Sequence, residues 1–175
     1  MEHQSAELDI ESLRLWFQSV DTDNSNSINV DELQVALEAS NLRFPKTIVA
    51  QMIRMYDADQ NGAMSFEEFT KLHNFLNMTH RAFSNVARNQ QSLSLNEVYM
   101  ALHQAGFSLD QPSFLTTCQS FDSKRSGKFQ INDFISICIF LQSAKNLFTA
   151  FDTTKQGRIT LDYNQFVYCA ANLRI

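Results

Sequence analysis

Apolar residues recur along this chain at helical spacing, and the helical runs are broken by short polar stretches of one repeating design. An apolar segment ends in an aromatic residue and an Asp. A polar loop follows, then one apolar residue, then a second apolar segment. The junction reads Tyr56-Asp57, Phe121-Asp122 and Phe151-Asp152, with Val20-Asp21 a close relative. The lone apolar residue stands eighth in each loop, as Ile28, Met64, Phe129 and Ile159. A fifth unit fits between them, with Val86 first and Leu93 eighth. The loops begin at 21, 57, 86, 122 and 152, so their spacing alternates between 36 and 29–30 residues.

The longer intervals hold two helices and a turn. One turn is Asn41-Leu42-Arg43-Phe44-Pro45, with Pro45 suited to the first turn of the next helix. The other is Gly106-Phe107-Ser108-Leu109-Asp110, where Gly106 closes one helix and Asp110 caps the next. Beyond their loops the shorter intervals lack Gly and Pro, which predicts one uninterrupted helix in each, at about 66–85 and 131–150. The pattern predicts an all-α fold of five helix-loop-helix units, about eight helices, with very short β ladders between paired loops. Ile28 pairs with Met64 and Leu93 with Phe129, which leaves Ile159 without a partner. Residues 1–175 read as one domain, with an N-terminal lobe at 8–80 and a C-terminal lobe at 81–175.

Two loops carry oxygen ligands at the spacing of a calcium-binding EF-hand, positions 1, 3, 5, 7, 9 and 12. In Asp21–Glu32 the candidates are Asp21, Asp23, Ser25, the Ser27 carbonyl, Asn29 and Glu32. In Asp57–Glu68 they are Asp57, Asp59, Asn61, the Ala63 carbonyl, Ser65 and Glu68. A Glu at position twelve closes the shell with both oxygens, which favours calcium over the smaller, octahedral magnesium. Position six needs a left-handed backbone. Gly62 supplies it in the second loop, whereas the first has Asn26, the best non-Gly residue there, at a cost below about 1 kcal/mol. Three acidic ligands per loop suggest affinity on the order of 10⁻⁷–10⁻⁵ M.

The other three loops lack a ligand set. The third has Val86, Arg88 and Gln90 at positions one, three and five and keeps only Glu97. The fourth has Lys124 at three, where its charge replaces that of a metal, and Asp133 at twelve. The fifth, taken as Asp152–Tyr163, ends on a Tyr that cannot chelate. These loops read as scaffolding. The unpaired fifth hand, with Ile159, Tyr163 and Phe166, predicts a homodimer or heterodimer through that unit.

Net charge is −5, and no Lys/Arg run exceeds two residues, which argues against nucleic acid and against polybasic membrane binding. Cys118, Cys138 and Cys169 have no metal or redox spacing and read as reduced thiols of a cytoplasmic protein. The N-terminus has no signal-peptide pattern, and the longest unbroken apolar run, around 134–141, is too short to span a bilayer. His73 and His80 lie seven residues apart on one predicted helix, a weak zinc signal. Met52, Met55, Met64, Met78 and Met100 read as core more than as a partner groove. Trp16 reads as core. No catalytic constellation emerges, so the chain reads as a non-enzyme.

Five hands at these spacings resemble the penta-EF-hand family, and the resemblance covers about residues 10–175. Its most specific element is Phe151 to Phe166, where family fifth loops likewise carry Tyr at the closing position and an acid or amide two residues later. The resemblance implies dimerisation through the fifth hand and short, extended, Pro-rich peptide targets. Many members also bind calcium in the third hand and begin with a long Gly/Pro-rich segment. Here the third-hand ligands are lost and about ten residues precede the first helix. Position by position, only the first two loops carry over as metal sites, and membrane association is expected to be at most indirect or calcium-dependent. The leading expectation is a calcium sensor or adaptor that alters an apolar target surface. The alternatives are a regulatory subunit of a calpain-like protease and a simple calcium buffer.

Overall fold

The alternation of long and short intervals between loops is realised as helices α1 (Glu2–Val20), α2 (Val30–Ala39), α3 (Lys46–Arg54), α4 (Phe66–Ala87), α5 (Leu95–Gln104), α6 (Gln111–Phe121), α7 (Ile131–Phe151) and α8 (Tyr163–Asn172). Strands β1 (Ser92–Ser94) and β2 (Lys128–Gln130) sit in the third and fourth loops. The computed structural model describes residues 2–173, with side chains from Ile10 onward. The expectations about the extreme N-terminus at Met1 lie outside the described residues. Helix α1 starts earlier than the ten-residue lead-in expected, because residues 2–9 contain neither Gly nor Pro.

Helices α2 and α5 end alike. Asn41 (φ 60°) and Gly106 (φ 81°) take the left-handed conformation after each helix. Leu42 N–H then donates to Leu37 O and Phe107 N–H to Leu102 O, both at 2.9 Å. These six-to-one bonds satisfy carbonyls that a helix end leaves open. Asp110 caps α6 by accepting from Ser113 N–H at 2.9 Å. Pro45 stands one residue outside the position expected for it: it is the N-cap of α3 (φ −56°, ψ 148°), with Ile48 N–H bonded to its carbonyl.

Helices α4 and α7 run unbroken for 22 and 21 residues, as the missing Gly and Pro predict. Helix α4 continues to Ala87, so Val86 is helical and the third loop turns instead on Arg88 (φ 45°) and Asn89 (φ 76°). Helix α7 is long and apolar enough by length and composition to cross a membrane, with mean hydropathy 1.4. The unbroken run 134–141 understated this, because helical hydropathy accumulates across interspersed polar residues. Here its Phe134, Ile135, Ile137, Cys138 and Ile139 are buried as a protein core.

Residues 1–77 and 78–175 form two compact units. In the first, Ile28 and Met64 form a single antiparallel bridge between the first two loops. Below it pack Leu33, Val49, Met52, Phe69 and Leu72, all nearly inaccessible to solvent. Phe17 meets Phe66 and Phe69 edge-on, with ring centroids 5.5 and 5.6 Å apart. In the second, β1 and β2 pair antiparallel with Leu93 opposite Phe129, and Phe83 packs on Phe134. The fifth loop makes no such bridge among the described residues. Helix α8 buries none of its side chains, although Tyr168 touches Phe151 at 6.4 Å between centroids.

Candidate metal centres

The first and second loops share one hydrogen-bond plan. Position one turns inward: Asp21 is only 6% exposed, and its two oxygens accept from Ser25 N–H (2.9 Å) and Asn26 N–H (2.8 Å). Asp57 accepts from Asn61 N–H and Gly62 N–H, both at 3.0 Å. Position three adds Asp23, which accepts from Ser25 N–H at 3.0 Å, and Asp59, which accepts from Asn61 N–H at 3.2 Å. Such closely spaced donors hold each loop curled round its own carboxylates. Asn26 adopts φ 62° and Gly62 φ 79°, so position six is left-handed in both. Position four is left-handed too, at Asn24 (φ 56°) and Gln60 (φ 59°), a requirement the spacing of ligands does not reveal.

The closing glutamates belong to the helices that leave the loops. Glu32 Oε1 accepts from Thr22 N–H (2.9 Å) and Thr22 Oγ1 (2.9 Å), and its Oε2 from Asn29 N–H (3.0 Å). Glu68 Oε1 accepts from Ala58 N–H (2.9 Å), and its Oε2 from Ser65 N–H and Ser65 Oγ, both at 2.9 Å. Each glutamate therefore ties position two to position nine while also forming the capping pair of its helix. Burial opposes their ionisation, but the hydrogen bonds from Asn29 and Thr22 outweigh it at Glu32, and those from Ala58 and Ser65 do so at Glu68. Both carboxyls stay below the usual glutamate range. Asp23 is likewise lowered, chiefly by the Ser25 hydroxyl.

The remaining expected ligands lie in the same loops. Ser25 Oγ bonds to the Ser27 carbonyl at 3.0 Å. Asn61 Oδ1 accepts from Ala63 N–H at 2.8 Å. Asn29 is turned toward helix α2, where its Oδ1 accepts from Asp31 and Glu32 N–H. Asp21, Asp23 and Glu32 offer one oxygen each within 4.8 Å of one another, and so do Asp57, Asp59 and Glu68. Two oxygens on one calcium ion are separated by no more than about 5 Å, twice a bond of about 2.3–2.6 Å. Both clusters fit that ion, and an all-oxygen donor set suits a hard cation.

The fourth and fifth loops keep the front half of this plan. Asp122 holds Ser126 N–H (2.9 Å) and Gly127 N–H (2.7 Å), bonds that lower its pKa, with the one to Gly127 the larger cause. Asp152 holds Gln156 N–H and Gly157 N–H in the same way. The fifth loop departs at its rear. In the first, third and fourth loops the helix N-cap is position nine: Asn29, Ser94 and Gln130. In the fifth the N-cap is Asp162, two residues later, and its capping partner is Gln165. The loop therefore closes on Gln165 and not on Tyr163. Tyr163 is instead the first residue of α8 and is 79% exposed. The third loop's Glu97 is held low by the Ser94 hydroxyl and, more weakly, by Lys128 of the fourth loop.

The histidine pair is not brought together as a metal site among the described residues. His73 lies tilted against Trp16, 5.9 Å between centroids, and His80 faces Ser84. Trp16 is half-buried and so is not a core residue. It packs on Phe69 at 4.9 Å and lines a surface groove of about 410 Å³. Met52, Met55 and Met64 are core, while Met78 and Met100 are exposed.

Residues 10–72 match the family model described as an EF-hand domain pair. Sorcin of Schistosoma japonicum is 33% identical over 166 residues, covering 93% of this chain and 96% of that protein. Peflin of Danio rerio is 33% identical over 159 residues, covering 89% of this chain and 58% of peflin, so the chain spans little more than half the length of such relatives. A solved homolog of programmed cell death 6 protein from Leishmania major Friedlin superposes with a TM-score of 0.64 at 29% identity, over 93% of this chain and 94% of the other. Taken with the five loops and the two oxygen clusters, these likenesses establish that the chain belongs to the penta-EF-hand family and binds calcium.

Proposed function

We propose that this protein is a calcium sensor or adaptor whose first two loops each take one ion and thereby change an apolar surface that receives a protein segment. One observation carries the reading. The groove beside α1 and α2 is walled by Trp16, Val20, Val35, Ala36 and Ala39, and also by Thr22 and Glu32 of the first calcium loop. The closing carboxylate is therefore at once a ligand candidate and a wall of an apolar groove. A shift of Glu32 toward an ion has to alter that wall. A buffer would need no such connection.

Helix α8 supports a dimer in the same reading. Phe166, Val167 and Tyr168 are exposed beside Tyr163, on a helix that buries nothing in its own chain. A second copy, or a related chain with the same unpaired hand, would cover that face. The unpaired thiols fit a reducing compartment, and we place the protein in the cytoplasm.

Trp16 is the one tryptophan of the chain, so it reports on the groove directly. Calcium is expected to change its emission and the binding of an apolar dye in the wild type, and to lose both effects in Glu32→Gln. If neither signal responds to calcium while calorimetry shows two ions bound, the protein is a buffer and not a sensor.

A further inference from the structure

The closing glutamate of a loop is held by a hydroxyl as well as by backbone. In the second loop that hydroxyl is Ser65, at position nine, 2.9 Å from Glu68 Oε2. In the third loop Ser94 plays the same part, 2.6 Å from Glu97 Oε2. The first loop has Asn29 at this position. Its side-chain oxygen is committed to the N–H groups of Asp31 and Glu32, and it has no hydroxyl to offer. The missing donor comes from the opposite end of the loop: Thr22, at position two, gives Glu32 Oε1 both its hydroxyl and its N–H at 2.9 Å. The second loop has Ala58 there, which donates only its N–H.

We propose that Thr22 is a positioning residue that sets the calcium affinity of the first loop and its preference for calcium over magnesium. The proposal rests on the reading of that loop as a calcium site. Calcium accepts both oxygens of the closing carboxylate, whereas magnesium demands a tighter octahedron with fewer protein ligands. Two donors from Thr22 on one oxygen and the Asn29 N–H on the other orient the carboxylate before an ion arrives. Of the carboxylate's roughly four lone-pair sites one stays open, on Oε2, and a Thr22 bond to Oε1 yields as the ion takes both oxygens. The branched Cβ of Thr restricts χ1, so its hydroxyl is itself held in place. Without the hydroxyl, Glu32 gains rotamer freedom that calcium must then remove, while an ion that needs one oxygen loses less.

The test is calorimetric titration of the full chain with calcium and, separately, magnesium, in a Glu68→Gln background that leaves the first loop alone. Thr22→Ala and Thr22→Val are expected to weaken calcium binding about three- to tenfold, as for loss of one part-exposed hydrogen bond, and to weaken magnesium binding less. Thr22→Ser is expected to keep most of the affinity. Thr22→Ala with Asn29→Ser, which returns the hydroxyl to position nine, is expected to recover it. Unchanged or tighter calcium binding in both Thr22→Ala and Thr22→Val would overturn the proposal. So would an equal loss for both ions, which marks a general loosening of the loop. Should the Glu68→Gln protein take up no calcium at all, the calcium reading of the first loop falls, and the role of Thr22 falls with it.

Discussion

Ile28 and Met64 exchange both of their backbone hydrogen bonds at 2.8 Å, and neither side chain is accessible to solvent. The bridge joins the first and second loops, so a change of shape at position eight of one is passed to the other. Ile28→Ala is expected to destabilise the ion-free protein by about 2–5 kcal/mol and to weaken calcium binding at both loops. Ile159, whose loop has no bridge, is only half-buried. Ile159→Ala is expected to have a much smaller effect. Urea unfolding of the two variants side by side checks this, and equal losses would contradict it.

Each oxygen cluster closes on one glutamate. The wild type is expected to bind two calcium ions per chain, and Glu32→Gln or Glu68→Gln one each, in calorimetric titration. A third strong site in the wild type would show that a loop with Arg88, Lys124 or Thr154 at position three can still hold the ion.

The same glutamates make the ion-free fold sensitive to acid. Their folded pKa values are lowered, so folding favours the ionised forms. The stability they contribute is fully present above the unfolded glutamate value of about 4.3 and is lost as pH falls through the lower folded values. Glutamine stands in for the protonated acid. In chelator, the melting temperature of Glu32→Gln/Glu68→Gln is therefore expected to lie below wild type at neutral pH and to converge with it in acid. A gap independent of pH would contradict the assignment.

The thiols should separate by reactivity. Burial pushes Cys118 up to about 11 and Cys138 higher still, so neither forms thiolate readily near neutral pH. Cys169 on α8 is part-exposed. A thiol reagent is expected to modify one cysteine quickly in the native protein and all three after unfolding. Protection of Cys169 at high protein concentration would support α8 as the dimer face.

Helix number, the two unbroken helices and both loop pairings were legible in the sequence, because each depends on local rules: Gly and Pro placement, an apolar residue at position eight, oxygen ligands at fixed spacing. What escaped depends on direction in space. Trp16 satisfies the apolar pattern of α1, yet it lies at the rim of a groove. Asn29 also caps α2, its oxygen accepting from the N–H groups of Asp31 and Glu32, a role that ligand spacing alone does not show. Thr22 stands at a position that the ligand rule leaves free, and only the path of the loop brings its hydroxyl to Glu32. Tyr163 looked like a closing residue because twelve was counted from Asp152. The capping pair Asp162 and Gln165 shows where the helix really starts.

That late start makes the fifth hand hard to reverse. In the fourth loop, Lys124 and Asp133 already stand at ligand positions, so the chain could regain an ion there by exchanging side chains. In the fifth, the front of the loop is intact while its rear has slipped by two residues, and Gln165 cannot be replaced by Glu to make a twelve-residue site. The shortest route back to calcium at that hand runs through a deletion, which would also pull α8 a half-turn toward the loop and away from whatever it covers.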